Sequence, residues 1–202
     1  MEEGMRLASL SCSFQPKRRV AVVGLPGTGK WTLAQRLSRE YCWCHIDASR
    51  YSNSEDIPSQ IASELQTFRC SQGAVITSFP STASQSQQLQ AATSSQGQPL
   101  SHLIELGADS EALLKGRVTE RLVHEGSGRR YQPSTSPSQG MYKDDRTGEG
   151  LVCRLADSEE GFRSRWEMYD SEGVFQYFTG AKIPTAGKSI DEVWKSAQSC
   201  LF

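Results

Sequence analysis

Val20-Ala21-Val22-Val23-Gly24-Leu25-Pro26-Gly27-Thr28-Gly29-Lys30 is a β-branched apolar run that breaks at one glycine, passes through two more and ends on a lysine. Four apolar residues in a row predict a strand covered on both faces, as in a parallel sheet. Leu33, Leu37 and Tyr41 follow at helical spacing, so the order is strand, loop, helix. Glycines at 24, 27 and 29 let the backbone curl and turn its N–H groups inward, and the helix behind adds the positive end of its dipole. Such a nest takes phosphate oxygens, with Lys30 in reach of the β- and γ-phosphates of a nucleotide. A glycine-rich string alone reads equally well as a tight turn; the lysine, the strand and the helix decide for phosphate. Gly24, Pro26, Gly27, Thr28, Gly29, Lys30, Trp31 and Thr32 are therefore candidate ATP-binding residues. The usual pattern places a hydroxyl directly after the lysine to meet magnesium. Here Trp31 intervenes, which makes Thr32 the candidate metal-facing residue.

Outward from that loop, strand candidates lie around His45-Ile46, at Ala74–Thr77 and at His102–Leu106, with helix-like stretches between them. Strands alternating with helices predict an α/β fold, a parallel sheet flanked by helices in the P-loop NTPase manner. Two polar stretches, Ser81–Pro99 and Gln132–Gly140, read as flexible by composition, although Leu89, Ala91 and Ala92 allow a helix to begin in the first. No internal repeat is present.

The chain has 202 residues, enough for one substantial core with a small insert, and a formal net charge of −1. That balance gives no bulk attraction to nucleic acid or to an anionic membrane, so basic residues must act locally. No apolar run approaches the ~18 residues of a membrane span, and residues 1–19 lack the apolar middle of a secretory signal. Cysteines at 12, 42, 44, 70, 153 and 200 lack paired zinc spacing and suggest no disulfide framework. Reduced thiols in a cytoplasmic protein are expected, with Cys42, Cys44 and His45 packing near a strand rather than holding a metal.

A second constellation lies downstream: Gly116-Arg117-Val118-Thr119-Glu120-Arg121, then Ser127-Gly128-Arg129-Arg130-Tyr131, then Asp144–Glu149, then Arg154 and Arg165. Guanidinium groups spread over one segment suit a polyphosphate, because they stay charged and make forked contacts. In order and spacing this run resembles the lid of long-form adenylate kinases. Pro26 and Thr32 resemble that family's phosphate loop, Gly-x-Pro-Gly-x-Gly-Lys-Gly-Thr, with Trp31 replacing a small residue and crowding the nucleotide. The resemblance covers Val20 to about Val193. It implies an N-terminal extension at 1–19, a P-loop core at 20–119 and 158–202 with a reduced monophosphate-binding arm at 47–60, and a lid at 120–157.

By that resemblance Arg117 flanks the donor adenine, Arg121 meets the donor phosphates, and Arg130 and Tyr131 contact the donor nucleotide. Arg154 and Arg165 bridge the transferring group and the acceptor, so Lys30, Arg121, Arg154 and Arg165 form the catalytic set. His124 reads as a packing or hydrogen-bonding residue. Residues 125–150 contain no cysteine, so the structural zinc of some family lids is not expected.

The acceptor side departs from the family. Its Ser-Thr-Gly-Asp run and following arginine correspond to Asp47-Ala48-Ser49-Arg50-Tyr51-Ser52-Asn53, with the threonine and arginine out of register. Its Asp-Gly-Phe-Pro-Arg appears as Thr77-Ser78-Phe79-Pro80-Ser81, without the aspartate or the arginine. Gln85 matches the glutamine that reads the acceptor base, and the chain between Lys30 and Pro80 is shorter than in the long-form family. The resemblance implies magnesium-dependent transfer from ATP to a nucleoside monophosphate, AMP most simply, by a monomer. Two other readings remain: an impaired nucleotide-binding module that senses or holds a partner, and a kinase with another acceptor.

Overall fold

The computed structural model describes residues 17–51, 56–107, 110–133 and 142–202. Five parallel strands form one sheet in the order β2 (Cys44–Asp47), β3 (Ala74–Thr77), β1 (Arg19–Val23), β4 (His102–Leu106), β7 (Gly180–Ile183). Strand β1 is central, and Val20 to Val23 are at most 2% exposed, as a strand covered on both faces requires. Helices α1 (Lys30–Tyr41) and α7 (Ile190–Leu201) bury Leu33, Leu37, Tyr41, Trp194 and Leu201 against Val20, Val22, Val75 and Ile104 on one face. The other face is covered by α2 (Ile57–Leu65), α3 (Ala83–Ser95) and α6 (Ser171–Phe175), through Ile61, Leu65, Leu89 and Val174. Helices α4 (Glu111–Thr119) and α5 (Glu159–Met168) join through Leu114, Val118 and Phe162. Between them β5 (Leu122–Val123) and β6 (Arg130–Tyr131) pair antiparallel as a separate small sheet. The chain thus has the P-loop NTPase fold.

The four expected strands form; the fifth, β7, carries little sequence signal. It is a short edge strand, Gly-Ala-Lys-Ile, with only Ile183 buried, so it lacks the apolar run or clean alternation that marks a strand. The Ser81–Pro99 stretch is largely α3 rather than loop. Thr82 caps it by accepting from Gln85 N, and Ser86, Leu89 and Thr93 face inward. Hydroxyls satisfied against carbonyls, Ser86 to Val174 and Thr93 to Leu89, let this face bury polar residues that composition assigns to solvent. Most of the Gln132–Gly140 stretch lies outside the described residues.

The expectation of reduced thiols is corrected at Cys42, Cys44 and Cys70, each disulfide-bonded; Cys44 and Cys70 join each other, 26 residues apart. Sequence spacing is silent on this because the β2–β3 pairing creates the proximity. Cys44 lies opposite Ala74, and Cys44 N donates to Gly73 O at the turn that follows Cys70. Cys153 and Cys200 are free thiols. Among the described residues no group of three metal-ligating side chains forms, and no helix is long and apolar enough to cross a membrane.

The phosphate loop leaves β1 through Gly24 (φ +134°), Gly27 (φ +88°) and Gly29 (φ +93°), the last serving as N-cap of α1. At Gly24 a side chain would meet both a backbone region nearly closed to L-residues and the Leu106 carbonyl oxygen. Gly24→Ala is expected to cost about 3 kcal/mol, a melting-temperature drop of roughly 6–12 °C for a chain of this size. Gly29→Ala should lose less, since nothing lies within 4 Å of its Cβ position. Thermal unfolding of the two variants side by side checks the ranking.

Candidate active site

Lys30 opens α1, and its Nζ donates to the carbonyls of Gly24 and Leu25, both at 2.7 Å, so the amine sits in the curl of its own loop. Burial lowers its pKa to about 7, and the guanidinium groups of Arg121, Arg165 and Arg130 push the same way, with Asp47 opposing. Residues widely separated in sequence therefore share one electrostatic neighbourhood. Thr28 is buried and caps the turn by donating to Leu25 O at 3.0 Å, whereas Thr32, in the first turn of α1, is exposed.

The arginines are gathered by a carboxylate that sequence reasoning passed over. Asp157 ends the 3-10 turn Leu155–Asp157 and is fully buried. Its oxygens accept from Arg121 Nε at 3.1 Å and through a second, shorter contact from Arg121 Nη2. They also accept from Arg154 Nε at 3.0 Å and Arg165 Nη2 at 3.4 Å. Burial alone would raise the Asp157 pKa, but the bonds from Arg121 and then Arg154 outweigh it and the carboxyl titrates below its ordinary value. Three guanidinium groups crowded together repel; one buried carboxylate makes the cluster tenable. Its sequence signal was the i,i+3 spacing from Arg154.

The other predicted residues of the 120–157 segment separate into two groups. Arg130, on β6, reaches the core: its Nη2 donates to Asp47 Oδ2 at 2.6 Å, and its guanidinium lies 5.5 Å from the Trp31 ring centre. Tyr131 instead turns into the segment, where its hydroxyl donates to Asp144 Oδ1 at 2.9 Å. Asp144, buried, also accepts a forked pair from Arg129 at 2.7 and 2.6 Å and bonds from Arg146 N, Thr147 N and the Thr147 hydroxyl. The Arg129 bonds, against burial, hold its carboxyl far below the usual range. His124 joins Ser127 at 2.7 Å and contacts Glu149, so its place is in this hydrogen-bonded hub. Arg117 lies on the exposed side of α4.

At the departing positions the chain has built neutral contacts. Thr77 Oγ1 pairs with His45 Nε2 at 2.9 Å, and His45 Nδ1 with Gln35 Nε2 at 2.9 Å. An amide nitrogen only donates, so in this assignment His45 accepts at Nδ1 and donates from Nε2 to Thr77. Burial lowers the pKa of His45 to about 4, with Arg130, Arg69 and Arg50 reinforcing it and Asp47 opposing, and the ring is neutral at physiological pH. The Gln85 side chain accepts from Ser81 N at 2.7 Å. A cleft of about 440 Å³ beside β2 is lined by Trp31, Gln35, His45, Asp47, Arg50 and Arg69, with Ser127 and Gly128 contributing from the small-sheet segment.

No protein-family model matches the sequence. Curated relatives do. The chain is 32% identical over 219 residues to an adenylate kinase of Talaromyces marneffei, covering 94% of this chain and 80% of that protein. It is 31% identical over 225 residues to one of Lodderomyces elongisporus, covering 96% and 89%. This chain belongs to the adenylate kinase family. As a member it is a phosphotransferase of the nucleoside monophosphate kinase class, which favours the enzyme over the impaired-module reading. Both alignments span more positions than the 202 residues of the chain, so these adenylate kinases carry residues that this one lacks.

Proposed function

We propose that this protein transfers the γ-phosphoryl group of magnesium-bound ATP to a nucleoside monophosphate, AMP first among them, by direct in-line displacement. One observation carries the reading: Lys30 of the glycine loop shares its surroundings with Arg121, Arg130 and Arg165, and Asp157 ties Arg121 and Arg165 to Arg154. In a displacement of this kind the protein supplies position and countercharge rather than a covalent intermediate.

The donor triphosphate lies along the Gly24–Gly29 nest, with Lys30 exchanging its bonds to Gly24 and Leu25 for phosphate oxygens. Arg121 and Arg130 meet the donor phosphates, while Arg154 and Arg165 face the transferring group and the acceptor phosphate. Arg117 and Tyr131 stand farther out, toward the adenine. Residues 120–157 act as a lid over this charge; closing segments of this kind, adenylate kinase lids among them, exclude water while the reacting groups are assembled. The residues fit magnesium: Thr32 offers a hard oxygen donor in the first turn of α1, and no cluster of three protein ligands is needed by an ion that keeps waters and phosphate oxygens. When bound, magnesium would neutralise charge between the β- and γ-phosphates.

On the acceptor side the arm at 47–60 is short, and Gln85, Arg50 and Arg69 are the groups at hand. The reading requires no group from a second copy, and a monomer is proposed. A coupled assay with ATP, magnesium and AMP is expected to register ADP at a rate that falls by at least tenfold when AMP is omitted. Clear ATP binding without ADP formation from AMP or from a panel of other monophosphates would overturn the proposal.

A further inference from the structure

Arg130 links the 120–157 segment to the edge strand β2, and the residues that receive it are unusual. Asp47 ends β2. Its Oδ1 accepts from Ser49 N at 3.2 Å, Ser49 Oγ at 2.8 Å and Ser78 Oγ at 3.0 Å, which leaves Oδ2 for Arg130 at 2.6 Å. The carboxylate is thus pinned from the turns after both β2 and β3 and cannot swing. Ser78 holds its end of this arrangement at φ +71°, a left-handed conformation rare for a residue with a side chain.

Trp31 supplies the second support. Its ring packs edge-on to His45, with centres 6.3 Å apart, and lies 5.5 Å from the Arg130 guanidinium. The Arg130 and Asp47 side chains are only 16% and 14% exposed, so their attraction is little screened by water. Arg130 Nε is buried and has no hydrogen-bond partner among the described residues. Asp47 therefore engages the Nη2 end of the guanidinium, while its Nε is left without a partner among the described residues.

We propose that Asp47 is a positioning residue that, acting with Trp31, seats Arg130 and through it fixes how the 120–157 segment docks beside the phosphate loop. The consequence for transfer rests on the function proposed above; the docking itself does not. Three of the places where this chain departs from the adenylate kinase pattern, Trp31, Asp47 and Ser78, then serve one purpose. Trp31 gives Arg130 a ring to lie over, Asp47 gives it a fixed anion, and Ser78 locks that anion.

The test pairs a distance with a rate. Spin labels at Lys143→Cys and Lys188→Cys, in a Cys12→Ser, Cys42→Ser, Cys153→Ser, Cys200→Ser background that keeps the Cys44–Cys70 disulfide, report the separation of the segment from the core, with and without ATP. Asp47→Asn is expected to shift or broaden that distribution, and Asp47→Glu to restore part of it. In turnover, Asp47→Asn should lower kcat by about 10- to 100-fold while KM for ATP moves less than about threefold, the pattern of an interaction used mainly in the transition state. Asp47 also lies in the field of Lys30, so the cycle with Arg130→Gln discriminates. The double variant should be no slower than Arg130→Gln alone if Asp47 acts through Arg130. Losses that multiply, or a distance distribution unchanged in Asp47→Asn, overturn the proposal. A wild-type protein without turnover whose distances still shift in Asp47→Asn would defeat the kinase reading and leave the docking role standing.

Discussion

Asp157→Ala is expected to lower the melting temperature by roughly 6–20 °C and turnover by at least about 10²-fold, the largest combined loss for a residue that need not touch substrate. The stability part follows from what remains after truncation. Arg121, Arg154 and Arg165 stay crowded in a region where their side chains are 13%, 27% and 33% exposed, without the buried anion that makes the cluster tenable. Removing one partner of a buried ionic cluster costs about 3–5 kcal/mol, because it strands the others. The turnover part follows from geometry: the Nε groups of Arg121 and Arg154 and the Nη2 of Arg165 are aimed by that one carboxylate. Freed, they repel and spread. Asp157→Asn, which keeps the shape but not the charge, should show the same order of kinetic loss with a smaller loss of stability. The pH profile separates charge from packing. The Asp157 pKa lies below its unfolded value, so its contribution is complete above the ordinary carboxylate range and is lost as pH falls through the depressed folded value. Melting temperatures should therefore converge between wild type and Asp157→Asn toward acid pH; parallel curves would show that the carboxylate's charge is not what holds the cluster.

The geometry of the glycine loop, the candidate donor half of the site, was legible because it is encoded locally. Glycines that must take positive φ, a lysine behind them and a helix to follow occupy one continuous stretch, and Gly24, Gly27 and Gly29 adopt those angles. The arginines were legible as a set because their order and spacing resemble the adenylate kinase lid, whereas any one of them alone reads as solvated surface. What held them was not. Asp47 is a single carboxylate whose importance arises from burial and from a partner far away in sequence, Arg130, 83 residues on; Asp157 offered only its i,i+3 spacing from Arg154, and Asp144 reads as one residue of the Asp144–Glu149 stretch. Single acidic residues are usually solvated, and nothing local separates Asp47 from its neighbours. The disulfide was hidden for the same reason, because β2 and β3 pair across an intervening helix. In α3 local composition pointed away from helix, and tertiary packing against α2 and α6 prevailed. Trp31 read as an obstruction to nucleotide; in the fold its ring lies between His45 and Arg130.

Replacing Lys30 by methionine should leave a protein that is more stable near neutral pH and all but unable to transfer phosphate. The buried amine has its pKa lowered to about 7, first by burial and then by Arg121, Arg165 and Arg130. The unfolded chain holds that proton up to a lysine's ordinary pKa near 10.4, so between these values unfolding takes up a proton and stability rises with pH. Lys30→Met removes that slope together with the cost of a partly charged buried amine. A bound triphosphate reverses the preference, because the ammonium is then the favoured form. With its pKa lowered to about 7 the lysine is mainly neutral at pH 8 before nucleotide binds, and ATP binding should take up a proton, seen as a buffer-dependent binding heat in calorimetry. ATP affinity should weaken by up to about tenfold per pH unit above 7. In Lys30→Met the proton uptake disappears, and kcat falls by about 10²- to 10³-fold for a charged donor lost at the transferring group. A wild-type protein whose ATP binding releases or ignores protons at pH 8 would mean that the lysine is already charged before the nucleotide arrives, and that the arginines around it do not press on it as their positions imply.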